Sequence, residues 1–259
     1  MQMQFGDSVS VTRDGHVALV TFNRPPHNHI SVESARDLAD AFAAVDAEAD
    51  LRCLVLQSEG KNFCAGADLV SREADGGLGS SINPLYDQAV RLFAARTPVI
   101  AAVQGAAVGA GLGLVLTADF RVAADTARFS ANFVSLGFHP GFGITFTLPR
   151  LIGPSRASLM LLTGRRIKPE QALAWGLVEE VVPEAALRTA ALQLAREIAE
   201  AGPLGVIATR ATLRRGLAEA VRAQTAIEVV EQNWLRDTED HKEGIRAVTE
   251  RRSGNFKGR

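Results

Sequence analysis

Two turns in this chain have the make-up needed to present backbone N–H groups to a ligand. One is Gly60–Leu69 (GKNFCAGADL) and the other is Pro98–Leu114 (PVIAAVQGAAVGAGLGL). In each, a run of buried-strand character passes through small residues into a helix or helical turn. Such a junction leaves unpaired amides at the positive end of a helix dipole. Two of them converging on one point make an oxyanion hole from main chain alone, and small residues let a ligand come close to the backbone. From spacing alone, Gly109, Gly111 and Gly113 have a plainer use, which is to let helices pack closely. They match neither G-x-G-x-x-G nor the Walker lysine motif, so nothing here indicates a nucleotide phosphate site.

Taken with the rest of the chain, the two turns resemble the crotonase (enoyl-CoA hydratase/isomerase) superfamily. The likeness runs from Asn23-Arg24-Pro25 and Asn28 through Phe63 to Leu69, Thr97 to Val103, Gly105, Gly109-Ala110-Gly111 and Ala118-Asp119. It continues in Leu136-Gly137, Pro149 to Gly153, Leu162 to Gly164, Ala174 to Val178 and the tail Arg251 to Gly258. The resemblance implies an α/β fold, a spiral of ββα turns followed by a helical trimerisation region. It implies an acyl-CoA thioester as the ligand, with coenzyme A entering as part of the substrate and no separately bound cofactor. The thioester oxygen falls to the N–H groups of Ala67 and Ala110. The coenzyme lies along Arg24, Asn28 and Ala65, Gly66, Asp68 and Leu69. Its phosphates fall within reach of Arg24, Lys61 and Lys257, the last supplied by a neighbouring subunit. Read as ordinary side chains, Lys61 and Lys257 are solvated charges and Asp68 is a loop brace.

What the resemblance does not supply is acid–base machinery. Along the matching motifs the two glutamates of a hydratase fall at Gly113 and Phe133, and an alternative aspartate falls at Gly141. None of these can move a proton. General acid–base groups contribute about 10²- to 10⁴-fold each, so ordinary two-glutamate hydration is expected to be crippled. His139, two residues before Gly141, is the nearest substitute, because a loop histidine titrates near neutral pH; a hydrogen-bonded loop histidine is the plainer reading. Tyr86, Glu73 and Asp75 flank a Gly-, Ser- and Asp-rich stretch, Ser71 to Pro84, that reads as a mobile loop. Asn132 and Ser135 flank Phe133, and His27 and His29 fall near the coenzyme entrance. Cys64 reads as a small buried hydrophobe rather than a nucleophile. Two functions therefore stay open: an enoyl-CoA hydratase/isomerase-like enzyme with a non-standard acid, or an acid-free relative that binds acyl-CoA without turnover.

The elements that must position these turns are legible in outline. VSVTRD and HVALVTF, around Asp14-Gly15, read as a hairpin. Ser31 to Glu48 reads as a helix with Ser31 as N-cap and Ser34 three residues on. Leu51–Gln57 and Pro98–Val103 are continuous apolar runs, as in strands covered on both faces. Strand–helix alternation continues to about Val182, and helices follow. The expected organisation is a ββα core over residues 1–190 and a helical oligomerisation region over 191–259, giving a homotrimer or a dimer of trimers.

Composition closes off other classes. The chain has 259 residues, 47% hydrophobic, with a formal net charge of −1. That balance gives nucleic acid or a membrane surface no handhold, and no apolar run is long enough to span a bilayer. No His/Cys/Asp spacing suggests a metal site. The two cysteines read as reduced thiols in a cytoplasmic protein.

Overall fold

The computed structural model describes residues 2–68 and 83–259. Strands β1 (Gln2–Phe5), β2 (Val9–Asp14) and β3 (Val17–Phe22) form an antiparallel meander. The β2–β3 hairpin turns at Gly15-His16, with Asp14 paired to Val17. Helix α1 (Val32–Ala47) follows, and its capping box is made by Ser31 and Ser34 as the sequence suggests. Next come β4 (Cys53–Ser58), α2 (Pro84–Phe93), β5 (Val99–Val103), the short β6 (Ala106–Val108) and α3 (Ala110–Leu116). The chain goes on through β7 (Phe120–Ala124), β8 (Arg128–Ser130), a 3-10 turn (Asn132–Leu136), α4 (Ile144–Ile152), α5 (Pro154–Thr163), β9 (Arg166–Ile167), α6 (Pro169–Trp175) and β10 (Glu180–Val182). Helices α7 (Leu187–Glu200), α8 (Pro203–Leu213), α9 (Leu217–Leu235) and α10 (Glu239–Thr249) complete it.

The main sheet has the order β1-β2-β3-β4-β5-β7-β10, parallel from β3 onward. A second, small sheet of order β6-β8-β9 stands beside it. Each successive turn thus adds one strand to the large sheet, and β6 and β8 put the second strand of two turns into the small one. Every residue of β4 and β5 is buried, because α1, α2 and α3 pack on one face of the sheet and α7 on the other. Leu187, Ala191, Ala195 and Ala199 of α7 meet Val55, Ile100 and Val122 there. The boundary expected at residue 190 therefore falls inside a helix that completes the sheet's core. The first helix of the tail belongs to the spiral by packing, although its composition groups it with the helices beyond.

Helices α8 and α9 are anchored to the C-terminal end of α3 by charge. Asp119 accepts from Arg210 (2.8 Å) and Arg214 (2.9 Å), and its side chain also takes the Val99 N–H (2.8 Å). Arg214 donates in addition to Thr117 O (3.1 Å), and Arg121 donates to Ala118 O (3.1 Å). Cations there suit the negative end of the helix whose first residue is Ala110. Burial pulls the Arg214 guanidinium below its ordinary value, with Asp119 opposing.

Candidate active site

The segment from Phe63 to Asp68 runs as a ribbon between Ile30 and β6. Cys64 N–H donates to Ala106 O (2.9 Å) and Val108 N–H donates to Cys64 O (3.1 Å). On the other side Ile30 N–H donates to Gly66 O (2.9 Å) and Asp68 N–H to Ile30 O (2.9 Å). In parallel pairing the residue between those two points its own N–H away from the partner, and that residue is Ala67, bridged to Ile30. Ala110 is the first residue of α3 and is 6% exposed, so its N–H has no acceptor within the helix. Gly109, at φ 55° and ψ −119°, turns the chain into the helix in a conformation closed to side chains. Gly111 brings the two turns together: a Cβ there would stand 2.1 Å from Cys64 O. Both amides assigned to the thioester oxygen thus lie on abutting segments. Main-chain contacts join them.

At the positions that the resemblance assigns to acids, other side chains occupy the space. A Cβ on Gly113 would fall 2.5–2.9 Å from three atoms of Phe142. One on Gly141 would fall 1.8 Å from the Tyr86 hydroxyl and 2.6 Å from Gln232 Nε2. The Phe133 ring lies beside the helix entry, its Cζ 3.7 Å from where a Cβ of Gly109 would be. Asn132 approaches the same entry through Oδ1, whereas Ser135 turns its hydroxyl toward Gly164. His139 is half-buried, its Nδ1 2.7 Å from Pro140 O, and its carbonyl accepts from Gln232 Nε2 (2.9 Å). Tyr86 is 5% exposed and donates to Gln232 Oε1 (2.8 Å).

Phe142 is fully buried and sits at φ 66°, a left-handed conformation that costs a bulky residue about 1–3 kcal/mol unless its surroundings impose it. They do. Glu228 of α9 accepts from Gly143 N–H (2.8 Å), Thr145 N–H (3.1 Å) and the Thr145 hydroxyl (2.5 Å). That pins the residues following Phe142 at the N-terminus of α4, where a carboxylate also meets the positive dipole end. Burial nonetheless pushes the Glu228 carboxyl up to about 7, outweighing its three donors. Tyr86 meets the Phe142 ring edge-on, with centroids 6.5 Å apart.

The coenzyme positions divide. Arg24 pairs with Asp68 at 2.8 Å and donates to His29 O (2.7 Å), so these two charges brace the mouth together. Asn28 is 2% exposed, and its amide is spent on Arg24 N–H, Glu59 O and Asn62 O. Three internal backbone groups use its polar atoms, so its side chain braces the loop. Ala65 N–H donates to His27 O (3.1 Å), and Gly66 is buried in the ribbon. Lys61 is exposed. Lys257 lies on a tail folded back onto its own α10, where Asp240 caps its N–H and that of Gly258. His27 and His29 meet edge-on at 5.7 Å beside the mouth. Leu69, Glu73, Asp75 and the stretch read as a mobile loop up to residue 82 lie outside the described residues. Both cysteines are buried free thiols pushed up to about 12 by burial, which leaves no nucleophile at Cys64. Among the described residues no cluster of three metal-ligating side chains occurs, and no helix is long and apolar enough to cross a membrane.

Sequence reasoning missed Glu228 and Gln232. The available signal was two polar side chains four residues apart on the buried stripe of α9, beside Val221, Thr225 and Val229. It also missed that α10 covers the Phe133 segment. His241 Nδ1 lies 2.7 Å from Leu136 O, its ring stacks on Phe138 at 4.5 Å, and a Cβ on Gly244 would strike the Leu136 main chain.

The chain matches the enoyl-CoA hydratase/isomerase family model over residues 12–259. It is 38% identical over 251 residues to the 2,3-dehydroadipyl-CoA hydratase of Escherichia coli K12, covering 96% of this chain and 98% of that one. It is 35% identical over 250 residues to the 1,2-epoxyphenylacetyl-CoA isomerase of the same organism, covering 94% and 95%. A crystal structure of carnitinyl-CoA hydratase from Mycobacterium avium superimposes with a TM-score of 0.88 at 31% identity, covering 99% of this chain and all of that one. With a match over nearly its whole length and a spiral of the same shape, the chain belongs to the enoyl-CoA hydratase/isomerase family of the crotonase superfamily.

Proposed function

We propose that this protein binds an acyl-CoA thioester with the carbonyl oxygen between the Ala67 and Ala110 amides and stabilises the enolate formed there, as an isomerase- or lyase-type enzyme without the two-glutamate machinery. The observation that carries the reading is the pair of abutting turns, each ending in an N–H with no acceptor among the described residues. Donors aimed at a developing oxyanion in a dry site are worth about 10²- to 10³-fold each. Around them the surroundings are aromatic: Phe133, Phe142 and Tyr86 stand where the acids were expected. Of the titratable groups at that wall, His139 is the substitute acid–base group we favour. The filling of the space beside Gly113 and Gly141 supports a second reading, binding without turnover.

Calorimetry with a non-hydrolysable ketone analogue of butanoyl-CoA, which keeps the carbonyl oxygen, tests the site. Saturable binding is expected, with a loss of roughly two- to tenfold in Ala110→Pro, since one neutral hydrogen bond is worth about 0.5–1.5 kcal/mol. Proline is tolerated at the first position of a helix, so the variant removes a donor and keeps the fold. Equal affinity in the folded variant would sink the assignment. Mass-monitored turnover across a panel of enoyl-CoA thioesters separates the enzyme from the binder, and His139→Ala then shows whether that side chain handles the proton.

We also propose a homotrimer or dimer of trimers. Leu204, Leu213, Ile227, Val230 and Trp234 of α8 and α9 are each more than half exposed, an apolar load that monomers seldom leave in water.

A further inference from the structure

We propose that Phe142 is the end wall of the acyl pocket and restricts this protein to short acyl groups, with Glu228 as the residue that positions it. The inference rests on the acyl-CoA reading above and names the substrate class for it. Ala110 and Gly113 lie three residues apart on α3, so they share one face of that short helix. A carbonyl oxygen on the Ala110 amide places its acyl chain along this face. Phe133 flanks the entry near Gly109, and the Phe142 ring covers the face at Gly113, within 2.5–2.9 Å of where a side chain there would begin.

The Phe142 side chain is 0% exposed, and Gly113 beneath it is buried as well. A flexible side chain could swing aside for a longer chain, but this one is fixed from three directions. Its backbone is held left-handed at φ 66° between Gly141 and Gly143. Glu228 locks the Gly143 and Thr145 amides that follow. The edge of Tyr86 closes the remaining side, and Tyr86 is itself tied to Gln232 of the same helix face as Glu228. Packed interiors do not yield continuously to an extra methylene. A chain that reaches Phe142 must either stop or break that set of contacts.

The test is calorimetric titration of non-hydrolysable ketone analogues of straight-chain acyl-CoA thioesters, with about 4, 6, 8 and 12 acyl carbons, against the full-length protein, Phe142→Gly and Glu228→Gln. Glycine accepts the left-handed backbone, so Phe142→Gly removes the ring without adding strain. The native protein is expected to bind the shortest analogue best and to lose affinity as carbons are added. In Phe142→Gly each methylene that enters the vacated space should improve binding roughly fourfold relative to the preceding analogue, so the preference inverts by the 8-carbon analogue. Glu228→Gln should flatten the length profile part of the way. Native protein that binds the 12-carbon analogue as tightly as the 4-carbon one overturns the wall and leaves acyl-CoA binding intact. A Phe142→Gly profile superimposable on the native one also overturns it. Failure of every analogue to bind either protein overturns the site assignment itself, and the wall with it.

Discussion

The two halves of the candidate site are built by different means. The oxyanion turns, Cys64–Ala67 and Gly109–Gly111, use main-chain amides, small residues and strand-like pairing. The opposite wall, residues 132–145, is shaped by side chains that arrive from elsewhere: Tyr86 from α2, Glu228 and Gln232 from α9, His241 from α10. A site half made of backbone tolerates sequence drift, because any residue except proline supplies an N–H. A wall made of long-range side-chain contacts can be rebuilt by a few substitutions. The comparison teaches that two parts of one candidate site can be set by different levels of structure, one by local main chain and the other by side chains from distant helices.

The sharpest way to break this comparison is kinetic. Hydration of crotonyl-CoA is expected to run about 10⁴-fold or more below a two-glutamate relative, or about 5.5 kcal/mol of barrier. Gly113→Glu with Phe133→Glu should recover little by itself, since a side chain at 113 collides with Phe142. Adding Phe142→Ala to the pair should recover more. A native rate equal to that of ordinary hydratases, measured by loss of the enoyl thioester absorbance, would show that the wall retains a working acid–base pair.

A second prediction concerns the link between the halves. Asp119→Ala leaves Arg210 and Arg214 buried without their carboxylate, with side chains 9% and 14% exposed. Removing one partner of a buried charge pair destabilises by about 3–5 kcal/mol. Denaturant titration should show that loss, and little loss would mean that α8 and α9 are held to the oxyanion helix by apolar contacts instead.

Glu228 gives the third, through pH. Its carboxyl is raised from 4.5 to about 7 in the fold, so the folded state holds a proton that the unfolded state has released between those values. The stability tied to this group is therefore fully present below about pH 4.5 and is lost as pH rises through about 7. The loss is on the order of 3 kcal/mol in full. The native-minus-Glu228→Gln stability difference should fall as pH rises across that window; a difference that does not vary with pH would show that Glu228 stays ionised throughout. The smallest effect is on assembly. Light scattering should report a trimer or hexamer, and Trp234→Ser with Leu204→Ser should shift it toward monomer with modest change in monomer stability.

The sequence by itself determined the spiral and the two small-residue turns that carry the proposed amide pair. Alternating strands such as VSVTRD, continuous apolar strands such as VIAAV, the Ser31/Ser34 cap and the glycine turns are local features, each set by neighbours a few residues away. It also determined that Gly113, Phe133 and Gly141 bring no carboxylate. What only the tertiary structure decided is what stands in the vacated space. Phe142 reaches Gly113 across 29 positions of chain, and Glu228 reaches Gly143 across 85. Such pairings leave no periodic trace, because each is one contact fixed by how α4 and α9 cross. Composition assigned α7 to a helical extension, yet its small-residue stripe Ala191–Ala195–Ala199 lies on the sheet. A stripe that narrow fits a sheet face as well as another helix, and the partner is settled only when all the layers pack at once.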